Sequence, residues 1–192
     1  MMWYAGMAGG VALADILTGA RNPSGRLPFA IPVSAGHLPA FDRTATSVTY
    51  DRFHGQRLLD RLGVAPAFPH GFGLAYTTFS IGEVTPGVPE AGGVRLAATV
   101  TNTGARDGRH VVQVYGRRTG GAYAGELMLV GFAGVAVPAG GSVPVEVLVS
   151  FTPLAQWDPA TKQRILPAAS EIVLEVSAYA HDPDAIVVPL QP

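Results

Sequence analysis

The stretch VRLAATVTNTGARDGRHVVQVY, residues 94–115, decides the fold. Val94, Leu96, Ala98 and Val100 recur at every second position, with Arg95, Ala97 and Thr99 between them. A period of two puts these sets on opposite faces of a pleated strand, whereas a helix would repeat every three or four residues. Thr-Asn-Thr-Gly (101–104) interrupts the pattern with turn chemistry, and Val-Val-Gln-Val-Tyr (111–115) opens a second apolar run.

The same rhythm extends to the C-terminal end. Val143, Val145, Val147, Val149 and Phe151 alternate with Pro144, Glu146, Leu148 and Ser150. Ile172, Leu174, Val176 and Ala178 alternate with Glu171, Val173, Glu175 and Ser177. Turn signals such as Pro-Ala-Gly-Gly (138–141) separate the runs. Six or seven short strands over about 105 residues, with no helix between them, predict an antiparallel β-sandwich of immunoglobulin or fibronectin III type over 80–192. Pro144 cannot donate to a ladder, so it belongs at a sheet edge or a strand start.

Working backwards, residues 8–18 read as a helix with Val11, Leu13, Ile16 and Leu17 on its apolar side and Gly19 as its stop. ARNPSGRLPFAIP (20–32) is turn and extended chemistry, and GQRLLDRLG (55–63) suits a short helix closed by Gly63. FPHGFGLAYTTF (68–79) sets Pro69, Gly71 and Gly73 among four aromatics, then alternates into a strand. About 100 residues suffice for a sandwich core. The first part, with one clear helix and proline-rich extended segments, has no sheet to pack its helix on, so its apolar residues need a partner surface.

Composition narrows the function. Of 192 residues, 48% are apolar and only 14% charged, and the net charge of -1 gives no footprint for nucleic acid or an anionic membrane. Lys162 is the single lysine, and cysteine is absent, which removes disulfides, thiolate metal sites and a cysteine nucleophile. Met-Met-Trp-Tyr-Ala-Gly has no positive n-region and does not read as a signal peptide; the compartment stays open. The uncharged run Leu127–Val145 is broken by glycines and prolines, so it reads as two buried strands and a turn rather than a membrane span.

No residue pattern calls for a cofactor or a metal. Histidines 37, 54, 70, 110 and 181 lack i, i+4 spacing and have no acidic neighbour recurring beside them in sequence. GMAGG (6–10) has neither a preceding strand nor a following lysine, so it is no phosphate loop. Ser24 lies in Pro-Ser-Gly, not in a nucleophile elbow. Trp3 and Tyr4 read as core aromatics rather than sugar-stacking ones.

Longer motifs carry a resemblance. WYAGMAGGVALADILTGARNPSGRLPFAIP (3–32) and GQRLLDRLGVAPAFPHGFGLAYTTF (55–79) resemble the end of the α/β domain of glycoside hydrolase family 3, the β-glucosidase family. TVTNTGARDGRHVVQVY (99–115), ELMLVGF (126–132), VPAGGS (137–142) and LAQWDPAT (154–161) are similar to the fibronectin-III-like domain that closes many of these enzymes. The resemblance implies a remnant of the α/β domain over 1–79, one helix plus extended segments, followed by a sandwich over 80–192. It also makes 68–79 the joint between them, with glycine and proline fixing its path and aromatics wedged between the bodies.

The resemblance further implies hydrolysis of a terminal β-linked sugar with retention, which takes two carboxylates about 5 to 5.5 Å apart. In the family the nucleophile is an Asp of an N-terminal barrel, and a Glu from the second domain, where it supplies the acid/base, lies upstream of the motif at Trp3. Neither position then falls within these 192 residues, and no catalytic residue is assigned. Asp15, Asp158, Asp182, Asp184, Glu146, Glu171 and Glu175 each read as structural or as solvent-facing. The expected partner is the barrel and α/β domain, on another chain or lost; the alternative is a stand-alone module that binds a protein or a glycan. Departures from the family pattern, Ala5 and Ala8 near the start, Gln56 and Leu58 in the second motif, HGFG at 70–73 and PAAS at 167–170, bear on sugar contacts and domain packing more than on the sandwich.

Overall fold

The computed structural model describes residues 2–121 and 123–190. Seven strands make the sandwich: β1 (Phe79–Pro86), β2 (Gly93–Asn102), β3 (Gly108–Arg118), β4 (Met128–Val137), β5 (Ser142–Ser150), β8 (Ile172–Ser177) and β9 (Ile186–Pro189). One sheet has the order β1-β2-β5 and the other β4-β3-β8-β9. A separate two-stranded hairpin, β6 (Gln156–Asp158) with β7 (Gln163–Ile165), interrupts the connection from β5 to β8. All described pairings within the sheets are antiparallel.

The alternation read from the sequence becomes the core. Leu96, Val100, Val112, Val114, Val147 and Leu174 are fully buried between the two sheets. A Leu or Val buried in this way is worth roughly 1.5 to 3 kcal/mol over leaving it in water, so this inner layer dominates the sandwich's stability. Pro144 lies opposite Thr99 on β5, one of the two edge strands of the three-stranded sheet, as its missing N–H demands. The uncharged run at 127–145 does form two strands and a turn, but β4 and β5 belong to different sheets. The Pro138–Gly141 turn, with Gly140 at φ +67°, therefore arches across the core rather than closing a hairpin.

The first segment holds two helices, α1 (Gly9–Leu17) and α2 (Gln56–Leu62), plus a 3-10 turn over Ala35–His37. Gly63 ends α2 in the left-handed region at φ +65°, where glycine is free of the Cβ penalty. Of Gly9 and Gly10, only Gly9 is crowded, by the Ala5 side chain; Gly10 faces open space. Residues 27–31 run alongside 67–72, with Ile31 N–H donating to Phe68 O at 2.8 Å and Gly71 N–H to Leu27 O at 2.8 Å. Among the described residues no helix is long and apolar enough to cross a membrane.

Candidate functional site

Three places, with further side-chain contacts beside them, hold the first segment on the sandwich. The first is the end of α1. Tyr76 Oη donates to Ile16 O at 2.7 Å, and Arg106 Nη2, from the β2–β3 connection, donates to Gly19 O at 3.0 Å. The last carbonyls of a helix have no partner within it, so Tyr76 caps α1, while Arg106, bonded just beyond its end, gives a cation to the negative end of its dipole. Among the described residues nothing comparable holds the rest of α1. Val11 is 67% exposed and Leu17 72%, and Gly9 is the only buried residue of the helix.

The second is the Asn22 corner. Its side-chain oxygen accepts Tyr76 N–H at 2.8 Å and its amide donates to Asp107 O at 3.0 Å. Behind it, the fully buried Asn102 accepts from Thr77 Oγ1 and Gly104 N–H and donates to Arg106 O and Val137 O. All its polar capacity is spent, which is what burial of an amide requires.

The third is the 69–73 turn, seated on the outer face of β3. Gln113 and Tyr115 point away from the sandwich core here and are nevertheless buried. Gln113 Nε2 donates to Gly71 O at 3.0 Å, Tyr115 Oη donates to His70 O at 3.1 Å, and Ala180 N–H reaches His70 O at 2.9 Å. Phe72 packs edge-on to Tyr179 with ring centroids 5.7 Å apart. Burial pushes the Tyr115 phenol well above its usual range and holds His70 below the usual histidine value. Further along, Arg52 pairs with Glu126 and lies 3.4 Å over the Tyr123 ring, tying residues 50–57 to the β3–β4 connection.

The carboxylates are committed elsewhere. Asp158 caps its own turn through Ala160 N–H and Thr161 Oγ1, and Asp182 does the same through Ala178 N–H and Asp184 N–H. Glu146 pairs with Arg95, Glu175 with Arg117, and Glu171, which sits in the 3-10 turn before β8 rather than on a strand, lies 3.7 Å from Arg118. Asp15 lies half-exposed on α1. One open cleft is lined by Glu90 as its sole carboxylate, and another, between the edges of β1 and β9, by none.

The histidines separate. His54 is exposed, and His37 lies in the 3-10 turn. His110 is buried against Phe79, 4.9 Å between ring centroids, with Arg26 Nη2 3.4 Å from its Nδ1; burial and that guanidinium push its pKa down to about 4. His181 Nε2 lies 2.9 Å from Asp60 Oδ1, a contact between residues 121 positions apart. No acidic partner recurs beside the histidines in the sequence; the fold brings Asp60 to this one. The hydrogen bond to Asp60 raises the His181 pKa. Among the described residues no three metal-ligating side chains converge.

Residues 1–76 match the family model described as the glycosyl hydrolase family 3 C-terminal domain. The chain is 31% identical over 185 residues to a periplasmic β-glucosidase of Salmonella typhimurium, covering 92% of this chain and 24% of that protein. It is 32% identical to a xylan 1,4-β-xylosidase of Xylanibacter ruminicola, covering 94% of this chain and 20% of that one. Among solved structures, the β-glucosidase DesR of Streptomyces venezuelae, in complex with D-glucose, superposes at a TM-score of 0.85 with 32% identity, covering 98% of this chain and 26% of that one. β-Glucosidase 3B of Thermotoga neapolitana, in complex with glucose, gives 0.85 with 27% identity, covering 100% and 28%. The chain thus spans about a fifth to a quarter of the length of the curated relatives it matches.

Proposed function

The chain is related to the C-terminal part of family 3 glycoside hydrolases, and on that footing we propose that it buttresses a sugar-cleaving site carried by other domains and does not hydrolyse glycosides alone. Residues 1–79 act as the end of an α/β domain and residues 80–192 as the sandwich that braces it. The reaction served is hydrolysis of a terminal β-linked sugar, glucose or xylose by analogy with what the relatives are named for.

One observation carries this reading. α1 is an apolar helix held at its C-terminal end while its sides lie open to solvent, a state stable in context only when another layer covers it. The carboxylates add to it: ion pairs and turn caps occupy most of them, and retaining hydrolysis takes two facing each other. The test is release of a chromophore from an aryl β-glucoside. The 192-residue chain alone should give none, and adding a barrel and α/β unit from a relative truncated at the motif equivalent to Trp3 should restore it. Turnover by the chain alone would overturn the proposal.

A second reading is a stand-alone glycan-binding module. Trp157 favours it: this side chain is 54% exposed, on the β6–β7 hairpin, directly across from Arg164. An exposed flat aromatic beside a hydrogen-bond donor is a surface on which a sugar ring can stack. Retardation in gels containing β-glucan or xylan, abolished in Trp157→Ala, would select this reading over the buttress.

A further inference from the structure

The side chains beneath the 69–73 turn form one closed hydrogen-bond ring. His181 Nε2 meets Asp60 Oδ1 at 2.9 Å, and Gln56 Nε2 donates to that same oxygen at 2.8 Å. Gln56 Oε1 accepts His70 N–H at 3.1 Å. His70 Nδ1 lies 3.1 Å from Tyr115 Oη, which is 2.8 Å from Gln113 Oε1. Gln113 Nε2 donates to Gly71 O and to Ala178 O, and the backbone from Ala178 to His181 completes the circuit.

The geometry points to a proton-sensitive clasp: His70 and His181, at two stations of a single ring, set by their protonation how firmly residues 56–73 are held on the sandwich. The segment is suited to such control. α2 has seven residues, too few to persist unsupported, and Leu59 is its one buried residue. Outside the ring, this part is seated on the sandwich by Leu59, the Phe72–Tyr179 contact and Arg57 donating to Met128 Sδ, while its backbone bonds to residues 27–31 stay within the first segment.

The two histidines face opposite surroundings. His181 meets Asp60 from α2, while Arg117 from β3 and Glu175 from β8 lie near and are paired with each other; its own loop adds Asp182, committed to backbone amides. Its charged form therefore has a counter-ion. The His70 ring meets the Tyr115 hydroxyl from β3, while Gln56 Oε1 from α2 and Ala180 N–H bond its backbone, and none of these carries a charge. Its charged form has burial against it and nothing to offset it. The shifts agree: His181 is raised and His70 lowered in the closed state.

The signs follow from linkage. A raised histidine strengthens the closed state fully below its open-state value of about 6.5 and gives that up as pH climbs towards its closed-state value. A lowered histidine strengthens the closed state above about 6.5 and gives that up as pH falls towards its closed-state value. The two limbs meet, so closure is tightest near pH ~6.5 and loosens on either side.

The test is amide hydrogen exchange of the 192-residue chain between pH 5 and 8, corrected for intrinsic rates. Amides of 94–100 in β2 serve as the fold control. Protection of 56–63 and 70–71 should peak between the extremes and fall severalfold on both sides relative to the control amides, which track the change in global stability that His110 brings. His181→Gln should flatten the alkaline limb alone and His70→Gln the acid limb alone. Should either variant unsettle the control amides, Asp60→Asn removes the counter-ion, retains an acceptor, and should flatten the alkaline limb. A pH-independent profile in the parent chain, or both limbs surviving in the variants, overturns the clasp.

Discussion

Gly71 lies so close to Tyr115 that a β-carbon built on the glycine would stand 2.6 Å from the phenolic oxygen. Gln113 Oε1 is closer still, and the Gly71 backbone sits at φ +83°, where side chains are strained. The turn can therefore reach its seat on β3 only as glycine. Gly71→Ala should destabilise the chain by about 1 to 3 kcal/mol, the cost of a forced backbone before any shift of the tyrosine is added. Urea unfolding should show a lower midpoint, and near-ultraviolet dichroism should lose the Tyr115 and Tyr179 environment. An unchanged midpoint would mean the turn is not seated here.

Asn102 is the polar knot beneath the Asn22 corner. Its replacement by alanine strands Val137 O, Arg106 O, Gly104 N–H and the Thr77 hydroxyl in a site that is 0% exposed. Each stranded buried group costs about 1 to 3 kcal/mol, partly relieved where water can enter. Asn102→Ala should therefore lower stability by at least about 2 kcal/mol, among the larger effects expected of one substitution. Thermal unfolding reads this directly. Thr78→Ala, which removes an exposed hydroxyl contact to Thr103, is the matched control and should move the midpoint little.

These two sites mark what could and could not be read from the chain. The core strands were legible because one face of each is buried, so Leu96 and Val100, or Val147 and Val149, repeat at period two. α1 was legible from its apolar spacing and from Gly19, which does take φ +76°. Which sheet each strand joins was not, because alternation gives burial and not partner; the arch at Pro138–Gly141 looked like any turn. β3 shows the limit most clearly. Gln113 and Tyr115 occupy outward positions that a half-exposed strand would give to solvent, yet the 69–73 turn buries them. The only local signal was the concentration of glycine, proline and aromatics at 68–79. The His181–Asp60 contact had none, since nothing at either position anticipates a partner on the far side of the fold.

The open sides of α1 make the buttress reading testable without a structure of the whole. Val11 and Leu17 contribute little to the chain as it stands, so Val11→Asp should change its stability by no more than about 0.5 kcal/mol, and Leu17→Asp, at the negative end of the helix dipole, by no more than about 1 kcal/mol. The same variants should lose most of the glucosidase activity restored by a complementing barrel and α/β unit, because a carboxylate would then be buried against an apolar layer. Equal complementation by parent and variants would show that this face meets nothing.

His110 predicts how the chain meets acid. It is 5% exposed, and its pKa is pushed down to about 4 by burial first and by the Arg26 guanidinium second, with Asp182 acting weakly the other way. The unfolded chain takes up a proton on this residue near pH ~6.5, and the folded chain resists until about 4. Between those values the unfolded state holds more protons, so the His110 contribution to stability should rise with pH across the window, level off above it, and show no further loss below it. His70, lowered by burial, adds a loss of the same sign. His110→Phe preserves a ring beside Phe79 and removes the titrating group. Urea midpoints measured from pH 4 to 7 should slope steeply in the parent and clearly less in His110→Phe, with the residual slope carried by His70. If the two slopes coincide, the imidazole is already protonated in the fold, and the pocket formed by Phe79 and Arg26 admits more water than its closure implies.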